Sequence, residues 1–285
     1  MSWPIDIYSD LSEKITYNRA NLPIYARLND LKSYHYSAVC HWHEDLEFIK
    51  IISGQMDFFI NNACVTLHEG EGIFINSKRL HYGFSNDKID CQFIALIINP
   101  SLFPNVAQHD CQDKFGPNSS DFLMLNESKI LESITKIYDL MQEKQVNGLQ
   151  VVGESLLLCN IIGAKLKQVK NDFKLDVGQL AIWKMLTYIH QNFSEKLTID
   201  AISKSGAVNR NRCCELFKEY VRQSPNTYLN HYRLLKSCEM LEKTKRTISE
   251  IAMLSGFQSP SYFTQYFHKT FGVTPKIYRQ KSEQV

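Results

Sequence analysis

The chain has 285 residues, long enough for two ordinary domains, and its 44% hydrophobic and 22% charged composition excludes a largely disordered polymer. No apolar run approaches the ~18–20 residues that cross a bilayer, and Met1-Ser2-Trp3-Pro4 lacks the basic stretch and apolar run of a secretory signal, so membrane and exported classes are not expected. The net charge of +2 hides an asymmetry: 17 basic against 9 acidic residues from position 174 onward, and 15 against 21 before it, which points to a polyanion-binding part joined to an acidic one.

Residues 47–98 read as β structure. Glu47–Ile52, Met56–Ile60, Ala63–Leu67, Gly72–Asn76 and Cys91–Ile98 are short runs rich in Ile, Phe and Val. Ser53-Gly54, Asn61-Asn62 and Glu69–Gly72 punctuate them, and Asn61-Asn62 has the length and the tolerance of positive φ that a tight hairpin needs. Short strands this close together predict a small sandwich or barrel. Residues 101–125, with Pro104, Gly116 and Pro117, read as irregular. Ile130, Ile134, Ile137 and Met141 then fall on one helix face, and Gln150–Val169 reads as a second helix with more apolar surface than one stripe needs. The polar stretch Lys170–Gly178 is the expected domain boundary. Beyond it, Ile182, Leu186, Ile189 and Phe193 resume helical spacing.

The C-terminal third carries a weak internal duplication. Ile199, Ile202, Phe217, Pro225 and Tyr228 match Ile248, Ile251, Phe267, Pro275 and Tyr278, the offset moving from 49 to 50 because the second turn holds one extra residue. Thr247 and Glu250 form a capping-box pattern, Ser255-Gly256 ends that short helix, Ser259-Pro260 opens the next, and Gly272 closes it. Two short helices around a tight Gly-containing turn are the helix-turn-helix pattern. Ser224-Pro225 begins a longer helix, 226–243, that joins the copies.

The stretch from Ile248 through Ser255-Gly256-Phe257, Ser259-Pro260, Tyr262-Phe263, Phe267, Phe271-Gly272-Val273-Thr274-Pro275 and Tyr278 resembles the signature of AraC-family transcription regulators. The first copy departs from it, with Arg210 in place of a small residue or Pro, Arg212-Cys213 where Tyr-Leu is usual, and Gly206 one place early. The resemblance implies that the second helix of each copy enters a major groove of promoter DNA. Asn209, Arg210, Asn211, Arg212, Cys214 and Glu215 would lie there in the first copy, with Asn211, Cys214 and Glu215 outward; Ser261, Tyr262 and Gln265 would be outward in the second, with Ser259 near the backbone. Asn pairs with adenine and Glu accepts from cytosine, whereas Arg210 and Arg212 suit phosphates. The alternative for any one of these side chains is a place on a solvated helix face.

His41-Trp42-His43, then Glu47 and Gly54, resemble the first motif of cupin barrels, and Gly72 to His81 loosely resembles the second. In metal cupins the matching residues, here His41, His43, Glu47 and His81, bind a divalent metal; alternation along a strand puts His41 and His43 on one face. Many AraC-like regulators carry a similar sensor domain without metal. In that case His41, His43, Glu47, His81 and Tyr82 would line a pocket for a small effector such as a sugar or metabolite.

The expected fold is α+β in two domains: a cupin-like jelly-roll barrel over 1–125, a helical connector over 126–172 that could pair two copies, and an all-α domain with two helix-turn-helix motifs over 173–285. The expected function is an effector-controlled, sequence-specific transcription regulator, a homodimer in the cytoplasm with a possible RNA polymerase contact. Two alternatives remain: a metal-dependent cupin enzyme with a nucleic-acid-binding tail, and a thiol switch at Cys213-Cys214 or at the sensor cysteines. The eight cysteines are scattered without a Cys-x-x-Cys pair, which suits reduced thiols, and a disulfide between adjacent cysteines is strained.

Overall fold

A computed structural model describes residues 7–8, 10–61, 63–103, 113–167 and 177–282. Asn62, Pro104, Cys111 and most of the expected boundary at 170–178 lie outside the described residues. Two compact units result, one of Ser12–Lys174 and one of Leu175–Val285 grouped with Met1–Leu11.

The first unit holds seven strands: β1 (Ile24–Asp30), β2 (Leu46–Ile60), β3 (Ala63–His68), β4 (Gly72–Ile75), β5 (His81–Phe84), β6 (Cys91–Ile98) and β7 (Phe122–Leu125). All pair antiparallel. The order is β1-β6-β2-β4-β7, with β3 and β5 paired to the far half of β2. The break expected at Ser53-Gly54 is instead a bend within one strand of 15 residues. Its register shifts between Ile51 and Ser53, and Gly54 takes φ +77°. A Cβ on Gly54 would stand 2.0 Å from the Asp90 carbonyl oxygen, so the approach requires glycine. The near half of β2 therefore belongs to a five-stranded layer and the far half to a three-stranded one, as in the expected barrel. At the β2–β3 turn Asn61 adopts φ +51°, as the Asn-Asn pattern requires.

Helices α1 (Ser128–Gln142) and α2 (Gly148–Lys165) follow. Ile134 and Ile137 of α1, and Val151, Leu158 and Ile162 of α2, share one core with Phe48, Phe74, Leu96 and Ile98 of the sheet. The connector read from sequence is therefore built into the barrel's own core. A second face of α2 stays open: Leu149, Leu157 and Ile161 are exposed at spacings of eight and four.

The second unit contains α3 (Val177–Asn192), α4 (Ile199–Ser205), α5 (Arg210–Val221), α6 (Pro225–Lys243), α7 (Ile248–Leu254), α8 (Pro260–Phe271) and α9 (Pro275–Ser282). Thr198, Asn209, Ser224, Thr247 and Ser259 each cap a helix by accepting from the backbone N–H three residues on. The Thr247–Glu250 capping box is complete. Gly256 makes the left-handed turn between α7 and α8 at φ +83°; in the first copy Ala207 makes it at φ +54°. Gly206 comes one place early for a packing reason: a Cβ there would stand 2.7 Å from Met185 Cγ and 2.9 Å from the Ala181 carbonyl oxygen. Phe257, Phe263 and Phe267 form the core of the second copy with Leu234, Cys238 and Ile251.

Candidate functional site

Backbone pairing gathers the histidines. His41 and His81 exchange N–H to carbonyl bonds of 3.1 and 2.9 Å, and Lys78 N–H donates to the His43 carbonyl at 2.7 Å. His41, His43, His81 and Glu47 are all buried. Nδ1 of His41 lies 2.7 Å from the Val39 oxygen, that of His43 3.1 Å from Asp45, and that of His81 2.7 Å from Arg79. A carbonyl only accepts, so each Nδ1 carries a proton, and in the neutral ring each Nε2 presents a lone pair. The ring nitrogens offered by the three lie within 4.8 Å of one another. Glu47 Oε2 is 2.8 Å from His81 Nε2 and 3.6 Å from His43 Nε2. With neutral rings these are acceptors facing acceptors, and His43 Nε2, His81 Nε2 and Glu47 Oε2 have no hydrogen-bond partner. Such a set is completed by a proton or a cation.

The electrostatics favour charge separation within the set, with a proton drawn toward His43 and a negative Glu47. Burial, then the neighbouring His81 and His43, holds the His41 pKa well below the ordinary histidine value. Burial also opposes charge on His43, but Glu47, and behind it Glu13 and Asp45, raise its pKa. Burial favours the neutral acid at Glu47, yet His81 and His43 keep it ionised far below the usual carboxylate range. Tyr82 does not join the cluster. One residue beyond His81 on β5 it faces the other way, and its ring packs 5.6 Å from Phe59 and 5.3 Å from Phe84.

On the reading helices, Asn209, Arg210, Asn211, Arg212, Cys214 and Glu215 are exposed, as are Ser259, Ser261, Tyr262 and Gln265. Several are already engaged. Asn209 and Ser259 serve as helix caps. Arg210 makes a two-pronged pair with Asp200. Arg212 Nη1 lies 3.2 Å from Glu215 and 3.8 Å from Glu219. Cys213 is buried and Cys214 exposed, so the adjacent thiols face different surroundings, and burial, then Cys214, pushes the Cys213 pKa up to about 11.

Two residues escaped the sequence reading. Arg233, buried in α6, donates to the Phe193 and Glu195 carbonyls at 2.7 Å each and lies over the Phe257 ring. It ties the end of α3 to the second helix-turn-helix; the signal was an arginine inside the apolar run Tyr232–Leu235. The other is Glu13, whose Oε2 lies 3.5 Å from His41 Nε2. Its distance along the chain from the His-x-His motif concealed it.

The profile of the AraC-like ligand binding domain matches residues 21–158, and that of a helix-turn-helix domain matches residues 202–281. The chain is 30% identical over 254 residues to the uncharacterized HTH-type transcriptional regulator YdeC of Bacillus subtilis (strain 168), covering 84% of this chain and 85% of that protein. It is 32% identical over 163 residues to the HTH-type transcriptional regulator MtrA of Neisseria gonorrhoeae, 54% of each chain. It is 22% identical over 297 residues to the melibiose operon regulatory protein of Escherichia coli (strain K12), covering 99% of this chain and 92% of that one. These relatives carry regulator names, in line with a regulator and not with the cupin-enzyme alternative. With a ligand-binding barrel, two capped helix-turn-helix motifs and a relative matched over most of both chains, this protein belongs to the AraC family of DNA-binding transcription regulators controlled by a small-molecule effector.

Proposed function

We propose that the regulator senses a divalent cation held by His41, His43, Glu47 and His81, and reads promoter DNA in the cytoplasm with α5 and α8. The observation that carries the cation is the convergence of buried polar atoms: His43 Nε2, His81 Nε2 and Glu47 Oε2 have no hydrogen-bond partner, and the ligand nitrogens of His41, His43 and His81 lie within 4.8 Å of one another. Separations of 2.8 and 3.6 Å between the donor atoms are what bonds of ~2.1 Å to one ion span. Imidazole and carboxylate together suit zinc, iron, manganese or nickel.

On the DNA side, α6 has 19 residues and so spans about 28 Å at ~1.5 Å per residue, near the ~34 Å repeat of the duplex. That length supports one protomer touching two successive major-groove segments. Asn211, Glu215, Ser261, Tyr262 and Gln265 would meet base edges, and Arg210 and Arg212 phosphates. The open face of α2 supports a homodimer, which would present four reading helices.

Metal analysis of the full chain, purified without chelator, tests the cation. About one equivalent is expected in the wild type, with loss in both His43→Ala and Glu47→Ala while DNA binding persists. Trace metal in wild-type protein supplied with zinc, manganese or iron would overturn the reading.

A further inference from the structure

The four residues just described leave one ring turned elsewhere. His41 Nε2 faces Glu13 Oε2 at 3.5 Å, and the Glu13 side chain is only 11% exposed. Its position is fixed by backbone. Ser12 bridges Trp42 in parallel, and Glu13 N–H donates to the Trp42 carbonyl at 2.8 Å. Trp42 stands between His41 and His43, so the segment carrying Glu13 runs directly beside the His-x-His run.

We propose that Glu13 is a fifth donor to the cation site, a carboxylate from outside the barrel motif that brings the coordination sphere to three imidazoles and two carboxylates. This rests on the cation reading above. Three arguments support it. The 3.5 Å separation of Glu13 from His41 is of the same size as the 3.6 Å separation of Glu47 from His43, the span of two ligands on one ion with bonds of ~2.1 Å. Charge also balances. Neutral imidazoles with Glu47 alone would leave a divalent ion with a buried positive charge, and the second carboxylate cancels it. Last, five protein donors leave a six-coordinate ion only one open position where the four residues alone leave two, which suits a firmly held sensing ion better than a catalytic one.

The test uses the full chain loaded with Co(II), whose visible absorption reports coordination number, and with Zn(II), whose affinity is read by chelator competition. Glu13→Ala should weaken Zn(II) binding about tenfold or more, and its Co(II) band should intensify as the coordination number falls. Glu13→Gln, which keeps the shape and removes the charge, should fall between Glu13→Ala and wild type, and guards against a folding defect monitored by circular dichroism. Glu44→Ala is the control, because Glu44 is exposed and paired with Lys78 at 3.0 Å. If wild type binds one ion and both Glu13 variants match it in affinity and spectrum, Glu13 is not a ligand and the four-residue site stands. If wild type binds neither metal, the site and this proposal fall together.

Discussion

Replacing Gly256 by alanine puts a methyl group where two things already stand. The residue sits at φ +83°, and the new Cβ would lie 2.3 Å from the Phe193 carbonyl oxygen and 2.8 Å from Arg233 Nε. The left-handed backbone alone disfavours an L-residue by roughly 1–2 kcal/mol. Relieving the clash means displacing the Arg233–Phe193 bond, a hydrogen bond to a charged group worth about 1.5–3 kcal/mol. Together the loss should reach about 3–5 kcal/mol. Gly272 is the matched control, because it sits at φ +71° with nothing within 4 Å of an added Cβ. There Gly272→Ala should lose only about 1 kcal/mol, the strain less the entropy that alanine removes from the unfolded chain. Ala207→Gly runs the comparison backwards and should gain up to about 1 kcal/mol. Urea unfolding of the full chain, followed by circular dichroism and by DNA binding, measures all three. Should Gly256→Ala prove no more harmful than Gly272→Ala, the Arg233 anchor is not holding the second helix-turn-helix as described.

Other substitutions separate the remaining ideas. Arg210→Ala should leave stability near wild type, since exposed pairs contribute little, while weakening binding to all DNA sequences alike and flattening the salt dependence by about one unit of slope; Asp200→Ala, by freeing Arg210, should steepen it, and equal slopes in a salt titration of both variants would dismiss a phosphate role. Leu157→Asp on the open face of α2 should convert a dimer to monomer in light scattering without changing metal content, and an unchanged mass would remove α2 from the interface. Burial, then Lys236, holds the His190 pKa down to about 3, against 6.5 in the open chain. The folded state thus binds fewer protons than the unfolded one, so stability is complete above about pH 6.5 and declines as the pH falls toward about 3. His190→Gln should flatten that decline in a series of urea midpoints; an identical pH profile would mean His190 is not buried as described.

What the sequence disclosed followed from chemistry that acts locally. Caps at Thr247 and Ser259, and the glycine turn at Gly256, need only a few neighbouring residues and were legible. The His41–His43 pair was legible because strand alternation is a rule of period two. Three strands were not. β1, β5 and β7 owe their pairing to β6, β2 and β4, and four-residue segments such as His81–Phe84 carry too little pattern alone. The single course of β2 was hidden because Ser53-Gly54 looks the same in a turn as in a bend, and only Asp90, far along the chain, decides between them. Arg233 and Glu13 are charged residues whose burial depends on distant carbonyls and rings. The early Gly206 became explicable only once Met185 was seen against it.

The course of β2 through both layers limits how the barrel can move. Peptide bonds link the five-stranded layer to the three-stranded one along the same strand, so the layers cannot slide past each other without stretching covalent structure. The register shift between Ile51 and Ser53 marks the joint between the layers, and Gly54 is wedged there against Asp90. Glu47 lies on one side of that joint, and Ile60, which pairs with His81, on the other. Twisting the joint changes the gap between carboxylate and imidazole, and fixing the gap locks the joint. On the cation reading, an ion held between Glu47 and His81 would therefore clamp together the two sides of that joint.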